Sequence, residues 1–215
     1  MAIISFRHNF IFFKTTKTAG TSIEVDLSRH VEDSAIVTPI TPPLQNHQPR
    51  NYLDTDGQLR FYNHMPASKI CHLIGRHRFD NMFKFCVERE PVAKCISHFH
   101  MYANSDLHNQ NGKFPTSWDE YCEIGRFPID LARYTEQRNG RPELMVNRII
   151  RYEHLAEELP TVLAPLGIPD FALISRAKSE YSRQVRITPE KVTSRQRDII
   201  YEAFSETLSV TKMSW

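Results

Sequence analysis

The sequence predicts a single α/β domain over residues 1–215, built on a central, mostly parallel sheet with helices on both faces. Three observations carry that prediction. Short apolar runs alternate with helical patterns along the chain. At 215 residues and 40% apolar content the chain is long enough for one substantial core and too short for two. The polar, proline-bearing or glycine-bearing stretches between the runs read as loops and not as domain boundaries, and there is no internal repeat or low-complexity tract.

Taken in order, the first strand falls at residues 9–14 and empties into a loop at 15–20, followed by a helix with Ile23 and Leu27 among its apolar positions. Pro39, Pro42, Pro43 and Pro49 leave no room for a regular element between Thr38 and Gly57, so a long loop or flap is expected there. A helix over 66–75 starts behind Pro66, Phe83 to Val87 reads as a second core strand, and Pro91 opens another helix. Val92, Cys95, Ile96 and Phe99 share one face of that helix and leave Lys94, Ser97 and His98 off the stripe. Residues 104–117 form a second polar loop, and Arg138-Asn139-Gly140-Arg141-Pro142 a turn. Val146 to Tyr152 reads as a third buried strand, and the short helix after it ends at Gly167. Thr193 with Gln196 makes a capping box for the last helix, whose apolar face is Ile199, Ile200, Ala203, Phe204 and Leu208.

Charged residues make up 24% of the chain and the net charge is +2, a balance that excludes bulk disorder and a general nucleic-acid coat. The basic excess is local: Arg176, Lys178, Arg183, Arg186, Lys191, Arg195 and Arg197 stand against Asp170, Glu180 and Glu190. A nearby anionic ligand and a plain solvated face account for it equally. Cys71, Cys86, Cys95 and Cys122 sit in apolar stretches without a Cys-x-x-Cys pair, as reduced core thiols do. No run approaches the ~18 apolar residues of a membrane span, and the first residues lack a leader pattern. A cytoplasmic protein is expected, or a lumenal one if this chain is a trimmed fragment.

The chemistry begins at Lys14-Thr15-Thr16-Lys17-Thr18-Ala19-Gly20-Thr21-Ser22, directly behind Phe10-Ile11-Phe12-Phe13. Small and hydroxyl side chains let backbone amides approach an anion, the following helix offers its positive end, and Lys17 adds a point charge. In a Walker loop the glycines precede the lysine; here Gly20 follows Lys17, so another phosphate ester is expected. A second strand-to-helix segment, Phe85 to Ser97, offers the Arg89 fork for phosphate oxygens and the Ser97 hydroxyl.

Together these segments resemble the sulfotransferases that use 3′-phosphoadenosine-5′-phosphosulfate (PAPS), particularly the carbohydrate-modifying, heparan sulfate 2-O-sulfotransferase-like branch. Lys17-Thr18-Ala19-Gly20-Thr21-Ser22 matches that family's Pro-Lys-Thr-Ala-Gly-Thr-Ser motif from its lysine on. Arg89 and Ser97 keep the spacing of its Arg-Asn/Asp-Pro-x-x-Arg-x-x-Ser motif, while Arg151-Tyr152-Glu153-His154-Leu155 and Leu166-Gly167-Ile168 are similar to its later strand and helix end. Thr16, Glu90 and Lys94 depart from it, standing where Pro, Asn or Asp, and Arg are usual.

The resemblance implies a P-loop-like domain that transfers a sulfuryl group from PAPS to a hydroxyl, most simply a carbohydrate's, with no metal. Lys17 and the loop over Thr18, Ala19, Gly20, Thr21 and Ser22 would hold the 5′-phosphosulfate, Arg89 and Ser97 the 3′-phosphate, and Lys178 a loop closing over the nucleotide. Lys17 would also steady the leaving oxygen. Sulfuryl transfer further needs a base for the acceptor proton, and His64 is the candidate, as an imidazole that titrates near neutrality and follows the proline-rich flap. His8, Glu24, Glu88 and His98 stay open as alternatives. So do two other functions: a PAPS-binding protein without turnover, and a P-loop kinase.

Overall fold

The computed structural model describes residues 2–109, 112, 114–177 and 184–215. Its strands are β1 (Ala2–Ser5), β2 (Phe10–Phe13), β3 (Ile36–Val37), β4 (Phe83–Glu88), β5 (Thr135–Arg138), β6 (Arg141–Leu144) and β7 (Arg148–Arg151). The α-helices are α1 (Gly20–Leu27), α2 (Ala67–Ile74), α3 (Arg76–Asn81), α4 (Pro91–Ala103), α5 (Trp118–Ile124), α6 (Leu131–Tyr134), α7 (Leu155–Leu163), α8 (Ser194–Ala203) and α9 (Ser205–Thr211). The chain divides into two compact units, Met1–Glu88 with Asp130–Ala177, and Arg89–Ile129 with Lys178–Trp215.

The first unit holds a five-stranded sheet in the order β3-β1-β2-β4-β7. The two pairings β2–β4 and β4–β7 are parallel, whereas β1 runs antiparallel to both β2 and β3. The sheet is therefore mixed, not mostly parallel as the strand–helix alternation predicts. The difference starts at the first residues, where Ala2–Ser5 doubles back onto Phe10–Phe13 through a turn that ends with Asn9 at φ 53°. Glu32 pins that turn by accepting from Ser5 Oγ at 2.6 Å, Phe6 N at 2.6 Å and Arg7 N at 3.0 Å.

Side chains alternate across the sheet, so neighbouring residues of β2 face opposite ways. Phe10 and Phe12 join Phe85, Val87, Ile23 of α1 and Leu159 of α7 in one core, while Phe13 meets Phe79 of α3 with ring centroids 6.3 Å apart. Helices thus cover both faces. All eight residues of α1 are buried, and its Ile23 and Leu27 alone contribute about 1.5–3 kcal/mol each. The parallel register places Phe13 beside Cys86, so β2 and β4 open at the same edge, the edge at which ligands of α/β sheets sit.

The second unit packs α4, α5 and α8 around Phe99, whose ring lies 5.6 Å from those of Trp118 and Tyr121. The capping box is formed: Thr193 accepts from Gln196 N, and the Gln196 side chain accepts from Thr193 N at 2.9 Å. Lys94 corrects the reading of α4. It is 0% exposed, inside the packed region instead of off its stripe, with Nζ 5.8 Å above the Phe204 ring. The cation–π contact with that ring is one of the interactions that offset the cost of burying the ammonium. Cys71, Cys86, Cys95 and Cys122 are all buried and form no disulfide. Among the described residues, no helix is long and apolar enough to cross a membrane.

Candidate functional site

The loop after β2 is braced from below and strained on top. Lys14, 6% exposed, runs back under the loop, and its Nζ donates to Thr21 Oγ1 at 2.8 Å and to Glu24 Oε2 at 3.0 Å. Its methylenes pass so close to Gly20 that a Cβ there would stand 2.4 Å from Lys14 Cγ, which is why this position is glycine. The hydroxyls of Thr15 and Thr18 bond each other at 2.8 Å, and Thr15 Oγ1 also donates to the Val87 carbonyl of β4. Both threonines are turned inward and fasten the loop to the sheet.

Lys17 at φ 62° and Ala19 at φ 58° flank Thr18 in the left-handed region. Two such residues without a glycine cost on the order of 1–2 kcal/mol each, strain that the surrounding contacts must hold. Ala19 is the N-cap of α1, where no side chain caps the helix and its first turn carries no acid. The positive end of the helix, the loop amides and the half-buried Lys17 are the parts from which an anion cradle can be built.

His64 is brought to this loop. Its Nδ1 lies 3.1 Å from the Lys14 carbonyl, and a carbonyl only accepts, so Nδ1 carries the proton and Nε2 the lone pair. Burial, assisted by the positive charges of Lys14 and Arg133 and opposed by Asp130, pushes its pKa down to about 2. The imidazole is thus neutral at every ordinary pH, with its Nε2 lone pair unprotonated. Its titration does not fall near neutrality, as the residue type alone suggests; partial burial strips away water that would solvate the cation.

Two partners of this histidine carry no motif. Arg133 of α6 donates through a terminal nitrogen to the His64 carbonyl at 2.9 Å, and its Nε lies 2.5 Å from Asp130 Oδ1. Asp130 is 1% exposed and accepts from both Thr16 N at 2.7 Å and Thr16 Oγ1 at 2.9 Å. The spacing of Asp130 and Arg133 was a visible i,i+3 pair; their tie to Thr16, 114 residues earlier, had no local signal.

The remaining expected residues divide as follows. Thr21 and Ser22 stand at the start of α1 with hydroxyls already engaged: Thr21 accepts from Lys14, and Ser22 accepts from Ala177 N at 3.0 Å. Asp26, further along α1, takes Ile174 N and Ser175 N, so residues 174–177 are strapped along this helix. Lys178 lies outside the described residues. Arg89 and Ser97 belong to the second unit, both half-buried, with Arg89 one peptide bond past the end of β4. Of the alternative bases, Glu24 is fully buried against Lys14, and Glu88 accepts from the buried Tyr134 hydroxyl at 2.9 Å. His8 precedes β2, at the end of the strand opposite the loop, and bonds the Leu166 carbonyl. His98, in the second unit, lies 3.0 Å from the Tyr121 hydroxyl.

No protein-family model and no solved structure matches the chain. It is 30% identical over 109 residues to an uncharacterized protein of Archaeoglobus fulgidus, a match covering 49% of this chain and 85% of that protein. This chain belongs to that protein's family. Membership carries no activity with it, so the chemistry rests on the residues above.

Proposed function

We propose that this protein is a P-loop-like sulfotransferase that moves a sulfuryl group from PAPS to a hydroxyl of a carbohydrate acceptor. The observation that carries the reading is a neutral imidazole anchored to a lysine-bearing anion cradle, through the bond from His64 Nδ1 to the Lys14 carbonyl three residues before Lys17. Transfer of this kind needs charge neutralised on the moving group and a proton removed from the attacking hydroxyl. Lys17 and the amides from Thr18 to Thr21 hold the 5′-phosphosulfate, and Lys17 balances the charge that collects on the bridging oxygen as its bond to sulfur breaks. His64 Nε2 takes the hydroxyl proton as the acceptor oxygen bonds to sulfur. An anion in the cradle raises the basicity of His64 by offsetting the cations that depress it. Arg89 and Ser97 keep the 3′-phosphate role that the resemblance gives them. The four buried thiols suit a reducing compartment, and the cytoplasm is the location proposed with the activity.

Adenosine 3′,5′-bisphosphate is expected to raise the melting temperature while ATP with Mg²⁺ does little. Labelled PAPS with a panel of oligosaccharides is expected to give labelled product, and His64→Ala to lower that rate ~10²–10⁴-fold with nucleotide stabilisation intact. Equal stabilisation by both nucleotides overturns the PAPS reading; stabilisation by the bisphosphate with no product on any acceptor reduces the protein to a binding role.

A further inference from the structure

We infer that Asp130 and Arg133 are positioning residues for His64, tying it to the Lys17 loop through Thr16; the assignment rests on the sulfotransferase reading of that histidine. His64 has φ 58°, a conformation that costs a residue with a Cβ about 1–2 kcal/mol and is kept only where its surroundings impose it. Two contacts impose it. The ring is held at Nδ1 by the Lys14 carbonyl, and the His64 carbonyl is held by Arg133 at 2.9 Å.

Arg133 is itself aimed. Its Nε pairs with Asp130, and Asp130 spends both carboxylate oxygens on Thr16, one on the amide and one on the hydroxyl. The contacts close a ring that leaves the loop at Thr16, passes through Asp130 and Arg133 to the His64 backbone, and re-enters the loop at Lys14 through the imidazole. Lys14 and Thr16 are two residues apart, so the ring fixes both the place and the rotation of the histidine. These bonds are part-buried and the Arg133–Asp130 pair is charge-assisted, so losing Arg133 takes the paired cation from the buried Asp130 carboxylate.

The ring also explains a departure from the resembling family. Where that family has proline, Thr16 supplies two donors to Asp130; a proline has neither an N–H nor a hydroxyl and could supply none. Thr16 does not simply loosen the loop. It exchanges the local stiffness of a proline for a cross-strut reaching the proposed base.

The readout is the tautomer of His64, followed by long-range ¹⁵N–¹H correlation in histidine-labelled full-length protein, together with kcat, KM and affinity for adenosine 3′,5′-bisphosphate. Wild type is expected to show a single Nδ1–H tautomer. Arg133→Ala is expected to give a mixture of tautomers and a kcat lower by roughly 10–100-fold, with nucleotide affinity within about twofold of wild type. Arg133→Lys, which keeps the charge but not the fork, is read in parallel and supplies the answer if the alanine variant does not fold; it is expected to fall between the two. Thr16→Val, which removes one of the two bonds to Asp130, is expected to shift the tautomer in the same direction by less. An active wild type whose tautomer and kcat are the same in Arg133→Lys and Thr16→Val overturns the assignment while leaving the sulfotransferase reading intact. A wild type that makes no sulfated product overturns that reading, and the positioning role falls with it.

Discussion

At the junction after β2 the helix start has no side-chain cap and no acid in its first turn, whereas at the junction after β4 negative charge is already built in. Two left-handed residues, a helix start with no side-chain cap and the Lys17 ammonium make up the first. At the second, the Glu90 carboxylate accepts from Val92 N at 3.0 Å and Ala93 N at 2.6 Å, with Pro91 in the first helical position. The two segments look alike in sequence, each a buried strand running into a helix beside a cation. Their helix termini are not equivalent. The α4 terminus is satisfied by its own side chain, so any phosphate recognition in this segment falls to Arg89 and Ser97 through their side chains, not to the helix dipole. The usual Asn or Asp at this position would cap the helix in the same way, which is why Glu90 is a tolerable departure.

The largest test of that asymmetry is Lys17→Ala. If the first junction neutralises charge in the transition state, turnover should fall by roughly 10²–10³-fold, the loss typical of one preorganised charge or donor. Lys17→Arg should also be poor, because a wide fork does not replace a compact ammonium at a left-handed position in a tight loop. Near wild-type rates in both would remove the first junction from the chemistry. Next in size is Arg89→Ala, expected to weaken binding of adenosine 3′,5′-bisphosphate by about 1.5–3 kcal/mol by calorimetry, and of adenosine 5′-phosphate hardly at all. Equal losses for both nucleotides would mean that Arg89 reads something other than the 3′-phosphate.

The first junction also makes a prediction about acid stability. His64 has a folded-state pKa near 2 against an ordinary value of 6.5, so the unfolded chain takes up a proton that the folded one refuses. Its contribution to stability is complete above pH 6.5 and is lost as the pH falls below that value toward 2. Between about pH 7 and 5.5, urea unfolding should show wild type losing roughly 1 kcal/mol more than His64→Gln. Identical slopes in the two proteins would mean that the ring is solvated and titrates normally. For the same reason, kcat/KM, which reports the free enzyme, should show no acid limb from His64 near neutrality.

Much of the frame was legible because its signals are local. Phe10–Phe13 and Phe83–Glu88 are apolar runs ending in a change of composition, prolines open α2 and α4, and Thr193 with Gln196 caps α8. What escaped is made of long-range pairings or of strands with little apolar content. β1 is four residues long and becomes a strand by pairing with β2 and β3. The Asn139-Gly140 turn was visible, but the flanking Thr-Glu-Gln-Arg and Arg-Pro-Glu-Leu lack the apolar alternation that marks a half-buried strand. In the site, the Lys17 loop could be read from its small residues and His64 only from its resemblance-based position. Lys14 with Glu24, and Thr16 with Asp130 and Arg133, could not be read, since a polar residue does not announce which distant polar residue will bury it.

The smallest expected effect is the one that separates the two junctions most directly. Glu90→Gln keeps an oxygen that can accept from the Val92 and Ala93 amides but removes the charge facing the helix dipole, so stability should fall by about 0.3–1 kcal/mol. Glu90→Ala removes the cap as well, leaves the Tyr201 hydroxyl without the oxygen it reaches at 2.8 Å, and should cost about 0.5–2 kcal/mol. Neither change should weaken the bisphosphate, because the Glu90 carboxylate is spent on the Val92 and Ala93 amides and the Tyr201 hydroxyl. Removing it should if anything tighten binding slightly, as one negative charge fewer repels the phosphates, and the gain should shrink as salt is added. A bisphosphate affinity that drops in Glu90→Gln while the melting temperature holds would show that the carboxylate positions Arg89 for the ligand instead of closing the helix. The two junctions would then be alike after all, each with its cation aimed by a neighbouring acid.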